Sequence, residues 1–297
     1  MKAPPFDYIR PRSLDEVFAL LERHGDDARI LAGGQTLLAT LNMRLSEPGL
    51  LIDIGALEEL RGVALRDDCI SIGALTRHSE IEDSPLIARH LPLLSMAAPH
   101  VAHRAIRNQG TFGGSIAFAD PAAEWPACAV ALDAVLVLAG PRGERRVGAQ
   151  DFFLDLYTTA MDGDEVLTAC EFPLRPAGSR HAFLELARRH GDYAIVGLAA
   201  CARADADTLD DVRLVFLGTG NIPNRAAGAE AALAGRTPDA DAVARARLAL
   251  ADDLQPFADL YNSARTKQHL AGVLMGRAVA QLAGRGAGNL QAGGNHG

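Results

Sequence analysis

The chain has 297 residues, 48% of them hydrophobic and 22% charged, and a net charge of −8. That length allows two or three domains of ordinary globular composition. The acidic balance, with no Lys/Arg cluster to offset it, argues against a nucleic-acid surface. The opening MKAPPFDYIRPRS lacks the apolar core of a signal peptide. No apolar run reaches the roughly 18 residues of a membrane span, so a cytoplasmic protein with no membrane span is expected.

In chain order, SLDEVFALLERHG predicts a helix. Ser13 is placed to cap it, Glu16 stands three residues on as a capping box requires, and Gly25 supplies the stop. Leu14, Val17, Phe18 and Leu21 make one apolar face. ARILAGG predicts a buried strand, TLLATLNMRL a second helix and GLLIDIG a second strand. This alternation predicts a small α/β unit over residues 1–55. The Gly33–Gly34 turn would then lie at the carboxyl end of a strand, where open α/β sheets place their ligands.

Residues 56–177 read as a mixed α+β unit. CISIGAL, AVLVLAG and EVLTACEFPL predict strands, and residues 76–110 predict a broken helical stretch. PLRPAGSR, 173–180, reads as a linker. Residues 178–285 form the expected third unit, with three strands in HAFLELARR, AIVGLAACARAD and DVRLVFLG, then Ala-rich helices. The Gly-rich end, 286–297, has nothing to build a core from and is expected to be a flexible tail.

A second glycine pair, Gly113–Gly114, stands in NQGTFGGSIAFADPAAEWPA between Thr111 and Ser115. Glycine lets backbone N–H groups approach an anion without a Cβ in the way, and a neighbouring hydroxyl adds a donor. Two such turns facing each other would suit a pyrophosphate. Two tight turns in separate places remain the plainer account of the turns alone. Neither has the G-x-G-x-x-G or G-x-x-x-x-G-K-[ST] spacing, so a dinucleotide site here is neither a Rossmann nor a P-loop site. Cys69, Cys128, Cys170 and Cys201 lie far apart, without iron–sulfur or zinc spacing. Buried free thiols are expected, and any electron carrier on this chain would be organic.

AGGQT at 32–36, TFGGS at 111–115 with DPAAEWPA behind it, and GDYAIVGLAA at 191–200 resemble the FAD-binding medium subunits of molybdenum hydroxylases. The carbon monoxide dehydrogenase type is the nearer branch and the flavin domain of xanthine dehydrogenase the more distant. The helix in SARTKQHLAGVLMGRAVAQL resembles the family's closing helix. The resemblance implies an α+β protein with a PCMH-type FAD-binding fold: two α/β subdomains, then a C-terminal domain with a three-stranded antiparallel sheet and helices. It implies noncovalent FAD between the first two units, with molybdopterin on a large partner subunit and [2Fe–2S] clusters on a small one, in a dimer of heterotrimers. Leu31, Ala32, Gly33, Gly34, Gln35 and Thr36 match the first pyrophosphate loop, and Thr111, Gly113, Gly114 and Ser115 the second. Both loops are expected to bind mainly through backbone N–H groups. Ser115 stands where many relatives have Asn. Glu124 stands where relatives often have Asp, towards the ribityl and flavin region. Leu167 matches an apolar position near the flavin, and Val101 one that is aromatic in the xanthine dehydrogenase branch. Tyr193 matches a tyrosine that covers one flavin face, which an aromatic ring does by stacking and excluding water. Without the resemblance it reads as a half-buried Tyr at a strand start.

Trp125 reads as a packing anchor beside the flavin loop. His100 and His103, at i and i+3 on an expected helix, are too few for a metal site. Arg104 and Arg107 read equally as phosphate counter-charges or as a solvated face. The chain shows no nucleophile–base pair, so its chemistry would belong to a cofactor. The role implied is an oxidoreductase subunit that passes electrons from [2Fe–2S] clusters through FAD to an external acceptor. The alternatives are a stand-alone flavin oxidoreductase, for which no cap-sized insertion is visible, and an assembly subunit without flavin. The substrate and the acceptor are not written in this chain.

Overall fold

A computed structural model of the protein describes residues 2–205 and 207–284. The expected tail, 286–297, lies outside the described residues. The first layer is a parallel sheet of β1 (Asp7–Ile9), β2 (Ala28–Leu31) and β3 (Leu50–Asp53) in the order β1-β3-β2. Helix α1 (Leu14–His24) joins the first two strands and α2 (Leu37–Asn42) the second pair. The Ser13 hydroxyl caps α1 by accepting from the Glu16 N–H at 3.3 Å. The carboxylate of Glu16 reaches back one residue further than expected, to the Arg12 N–H at 2.7 Å. Val17 and Leu21 are buried against Leu50 and Ile52, while Leu14 and Phe18 pack at the edge. β1 was not legible: three exposed residues carry no alternation.

The second layer is an antiparallel sheet in the order β4-β5-β10-β6-β7. Its strands are β4 (Val63–Leu65), β5 (Cys69–Gly73), β6 (Val135–Gly140), β7 (Gly143–Gly148) and β10 (Val166–Pro173), with a separate small pair, β8 (Phe153–Asp155) and β9 (Thr158–Thr159). Short helices lie along it: α3 (His78–Asp83), α4 (Pro85–His90), α5 (Pro92–Ala97), α6 (Arg104–Arg107), α7 (Phe112–Phe118), α8 (Glu124–Ala131) and α9 (Ala149–Phe152). Pro85 and Pro92 each open a helix, where a missing N–H costs nothing. His100 ends a separate 3-10 turn and His103 precedes α6, so the two do not share a helix face as expected.

The third layer is the sheet β11-β12-β13-β14. Three long antiparallel strands, β11 (Ser179–Ala187), β12 (Ala194–Asp205) and β13 (Thr208–Leu217), match the expectation. A two-residue edge strand, β14 (Asn224–Arg225), makes the sheet four-stranded where three were expected; two residues are too few to leave a periodic signal. Helices α10 (Ala227–Leu233), α11 (Ala240–Asp253) and α12 (Ala264–Leu282) cover one face. The other face packs on α5 and α8 of the second layer, where Phe183, Ala199, Val215 and Leu217 join its core. Burial on both faces explains why β12 reads as a nearly continuous apolar run instead of alternating.

Glu230, on α10, is buried and ties these elements together. It accepts from the Leu214 N–H of β13 at 2.9 Å and from Arg225 of β14 at 2.9 Å. Glu230→Ala leaves a buried N–H and a guanidinium without their acceptor, so we expect a loss of about 3 kcal/mol in denaturant unfolding. Wild-type stability in that variant would show that water replaces the carboxylate freely.

Candidate functional site

The chain leaves β2 at Leu31 and turns through residues 32–36 into α2. Gly34 adopts φ +72, a left-handed conformation that favours glycine. Gly33 lies against the backbone that leads into the second glycine turn. A Cβ on Gly33 would stand 2.5 Å from the Gln109 carbonyl oxygen and 2.9 Å from the Thr111 nitrogen. Gly113 presses in the same way on Ala74, where a Cβ would fall 2.6 Å from Cα and 2.8 Å from the carbonyl oxygen. A Cβ on Gly114 would come within 3.9 Å of the Ala32 methyl. The two turns therefore meet.

Between them opens a cavity of about 650 Å³, within the range of cofactor sites, about 300–1,000 Å³. Ala32, Gly33, Gly34, Gln35, Thr36, Val101, Thr111, Gly113, Gly114, Ser115, Glu124, Leu167 and Tyr193 all line it. Of the residues matched to the cofactor site, only Leu31 does not reach the wall. Its carbonyl accepts from the Ile54 N–H at 3.0 Å, so it fixes where the turn begins. Tyr193 is 65% exposed, not half-buried, and stands at the rim one residue before β12.

The two turns differ in what they offer an anion. Among the described residues, the N–H groups of Gly33, Gly34, Gln35 and Thr36 make no hydrogen bond. In the second turn the expectation of free backbone donors fails for residues 112–115; Thr111 N–H alone makes no hydrogen bond among the described residues. Phe112 N–H donates to the Thr76 carbonyl and Gly113 N–H to the Ala74 carbonyl, both at 2.8 Å. Gly114 N–H donates to the Thr111 hydroxyl oxygen at 3.3 Å, because Thr111 caps α7. What the second turn presents is hydroxyl groups, those of Thr111 and Ser115, and bare glycine surface. Arg104 and Arg107 do not line the cavity. Arg107 is buried and both guanidiniums pair with Glu82, Arg104 also with Asp83, so neither is a phosphate counter-charge.

Three acidic residues, Asp120, Glu124 and Asp192, line the cavity. Burial pushes Glu124 up to about 7, with Asp120 adding to the effect and Arg107 opposing it. Burial also raises Asp120. Glu124 therefore carries less negative charge near neutral pH, beside an anionic ligand, than an exposed carboxylate would.

No sequence signal marks His78, which lines the cavity and is buried. The Trp125 indole N–H donates to its Nδ1 at 3.0 Å. An indole N–H only donates, so Nδ1 must accept, and the neutral ring carries its proton on Nε2. Burial holds the pKa down at about 4, with the Arg107 charge adding to it. Trp125 is the packing anchor expected, fully buried against Phe112. Ala102, on the cavity wall, and Ala119, beside it, take φ of +47 and +53. For residues with a Cβ this is strained backbone, which tends to gather at functional sites. Among the described residues no group of three or more His, Cys, Asp or Glu is placed to hold a metal ion.

The comparisons decide the family. Residues 4–175 match the FAD binding domain in molybdopterin dehydrogenase, and residues 181–282 match the CO dehydrogenase flavoprotein C-terminal domain. The chain belongs to the FAD-binding medium subunits of the molybdenum hydroxylases. It is 38% identical to the 6-hydroxypseudooxynicotine dehydrogenase complex subunit alpha of Paenarthrobacter nicotinovorans, over 95% of each chain. It is 36% identical to the carbon monoxide dehydrogenase medium chain of Hydrogenophaga pseudoflava, over 94% of this chain and 97% of that one. Among solved structures, carbon monoxide dehydrogenase from the same organism superposes with a TM-score of 0.94 at 38% identity, covering 97% of this chain and all of the other. Quinoline 2-oxidoreductase from Pseudomonas putida 86 gives 0.91 at 36% identity, covering 96% and 99%. The chain is thus an oxidoreductase subunit with the α+β fold expected. No described helix is long and apolar enough to cross a membrane.

Gly33→Ala is expected to cost about 1–3 kcal/mol by overpacking and to lower the FAD content of the purified chain. Gly163→Ala, at a glycine with open space around it, is the control. A Gly33→Ala chain that melts with wild type and retains its flavin would remove the close approach of the two turns as a constraint.

Proposed function

We propose that FAD lies in the cavity between the two glycine turns and that the chain is the electron-transfer subunit of a molybdenum-containing dehydrogenase. One observation carries the reading: motifs distant in sequence converge on one cavity wall, and its first turn holds four N–H groups without an acceptor among the described residues.

 

Residues 32–36, Thr111, Gly113, Gly114, Ser115, Glu124, Leu167 and Tyr193 line the same cavity.

The residues present fit the cofactor. Gly33, Gly34, Gln35 and Thr36 would hold the pyrophosphate through backbone N–H groups, an arrangement that suits anions. Thr111 and Ser115 would add hydroxyl donors from the opposite side, and Ala32, Gly113 and Gly114 would let the phosphates approach closely. Leu31 anchors the turn. Leu167 and Val101 give apolar surface for the flavin ring, and Tyr193 closes the rim as an aromatic lid. Glu124 meets the polar region between ribityl chain and ring. The cavity is lined by no cysteine among the described residues, and its histidine, His78, is tied to Trp125, which favours noncovalent binding. Bound there, FAD supplies redox chemistry in one- and two-electron steps, which lets unlike carriers be joined.

In this reading the chain stands between the [2Fe–2S] clusters of a small subunit and an external acceptor, with molybdopterin on a large subunit. The names of its relatives, medium chains and subunits of dehydrogenase complexes, support partners of this kind. We extend the reading to a dimer of heterotrimers in the cytoplasm, and to three structural units at 1–55, 56–177 and 178–285.

The purified chain is expected to show a flavin spectrum and to release FAD on denaturation. Tyr193→Ala should keep the FAD but raise quenching of its fluorescence by iodide, because the lid is gone. A colourless chain that also refuses added FAD would leave the assembly-subunit reading in front.

A further inference from the structure

Glu185 is a carboxyl in an unusual place. It lies on the face of β11 that packs on the second layer, and its side chain is 3% exposed. Its Oε2 has no hydrogen-bond partner among the described residues. His100 Nδ1 stands 3.9 Å from that oxygen, and the His100 side chain is 34% exposed, so the ring joins a buried oxygen to the surface. On the inner side, the Glu124 carboxyl at the cavity wall is close enough for its charge to act on Glu185. The thiol of Cys128, one turn along α8 from Glu124, feels both carboxyls.

The other groups around Glu185 do not neutralise it. His181 shares its strand face, and burial keeps that ring neutral, with a pKa of about 4. α5 carries no charged residue, and β12 opposes Glu185 with Gly197. α12 packs on the opposite face of the sheet. Burial raises Glu185 to about 8, with Glu124 adding to the effect, and lowers His100, with His190 adding to that. At neutral pH the pair is therefore a carboxylic acid beside a neutral imidazole, not an ion pair.

We propose that Glu185, between Glu124 on the inside and His100 on the outside, is a proton store that serves the cofactor cavity. The inference rests on the FAD reading above. A flavin held in this cavity, reduced by two electrons from the partner subunit's iron–sulfur carriers, would need one proton for a new N–H bond on its ring, and these residues would supply it. Glu124 gives up its O–H proton, Glu185 returns one to Glu124, and His100 passes one from solvent to Glu185. Each transfer breaks one O–H or N–H bond and forms another, and no electrons pass through these groups.

The test is a spectroelectrochemical titration of the flavin potential from pH 5 to 9 in the FAD-loaded complex, for wild type, Glu185→Gln and His100→Asn. Wild type should show a break in the potential–pH curve that Glu185→Gln removes. His100→Asn should keep the break but slow proton uptake after rapid photoreduction by about tenfold or more. A second readout needs no flavin. A carboxyl whose folded pKa is raised stabilises fully below its ordinary value of 4.5, and that contribution is lost as pH rises through 8. Wild type should therefore lose stability relative to Glu185→Gln across that window. Curves that superimpose in wild type and Glu185→Gln overturn the proton store, even if the stability difference is present. A complex that holds no FAD overturns the cofactor reading as well, which separates the two failures.

Discussion

The approach of Gly33 to the backbone of residues 109–111 is the constraint on which the site depends. It joins the end of the parallel sheet to the segment that leads into α7, with no side chain between them. Any Cβ at Gly33 would push the two turns apart, and the cavity wall would lose its shape. The same device recurs at Gly113 on Ala74 and at Gly110, where a Cβ would stand 2.7 Å from the His78 ring. Glycine in such positions is entropically costly in folding, by roughly 0.5–1 kcal/mol relative to Ala. Here that cost is offset by contacts between units that a larger residue would prevent.

A second feature follows from the first. The backbone donors of the second turn are engaged in holding it to residues 74–76, through Phe112 and Gly113. That rigidity leaves the first turn as the one with a run of N–H groups to offer. Unpaired N–H groups are costly when they are buried away from water, so such a turn is stable only if it meets water or an anion. The division explains why two similar sequences, GGQT and FGGS, do different work: one is held in place and the other is left open.

Much of this was legible because it is local. The Ser13 cap, the strand in ARIL and the long apolar strand in AIVGLAACARAD depend on neighbours in sequence. The glycine pairs were legible as turns, and the family resemblance gave them a shared purpose. What stayed hidden depends on distant partners. His78 has its tautomer fixed by Trp125, 47 residues away. Arg107 read as a phosphate ligand or a solvated cation because Glu82, its actual partner, sits on another helix. The positive φ of Ala102 and Ala119 has no sequence signal, since alanine is not the residue that such backbone favours.

The third layer also bears on the site, through α8. That helix begins with Glu124 at the cavity and continues through Cys128 into the core shared with β12 and β13. Its last residue is tied to the sheet, since the Cys201 thiol donates to the Ala131 carbonyl at 3.2 Å. A helix buried on nearly every side cannot shift without opening that core. The position of the Glu124 carboxyl is therefore set by packing against the C-terminal sheet as much as by the cavity it faces. The sheet in turn places Glu185 behind it, with Gly218 N–H anchored to the Pro121 carbonyl at 2.8 Å in the loop before α8. A C-terminal domain that contributes Tyr193 to the rim, and a carboxyl behind the wall, is part of the site's electrostatics and not only a platform for partners.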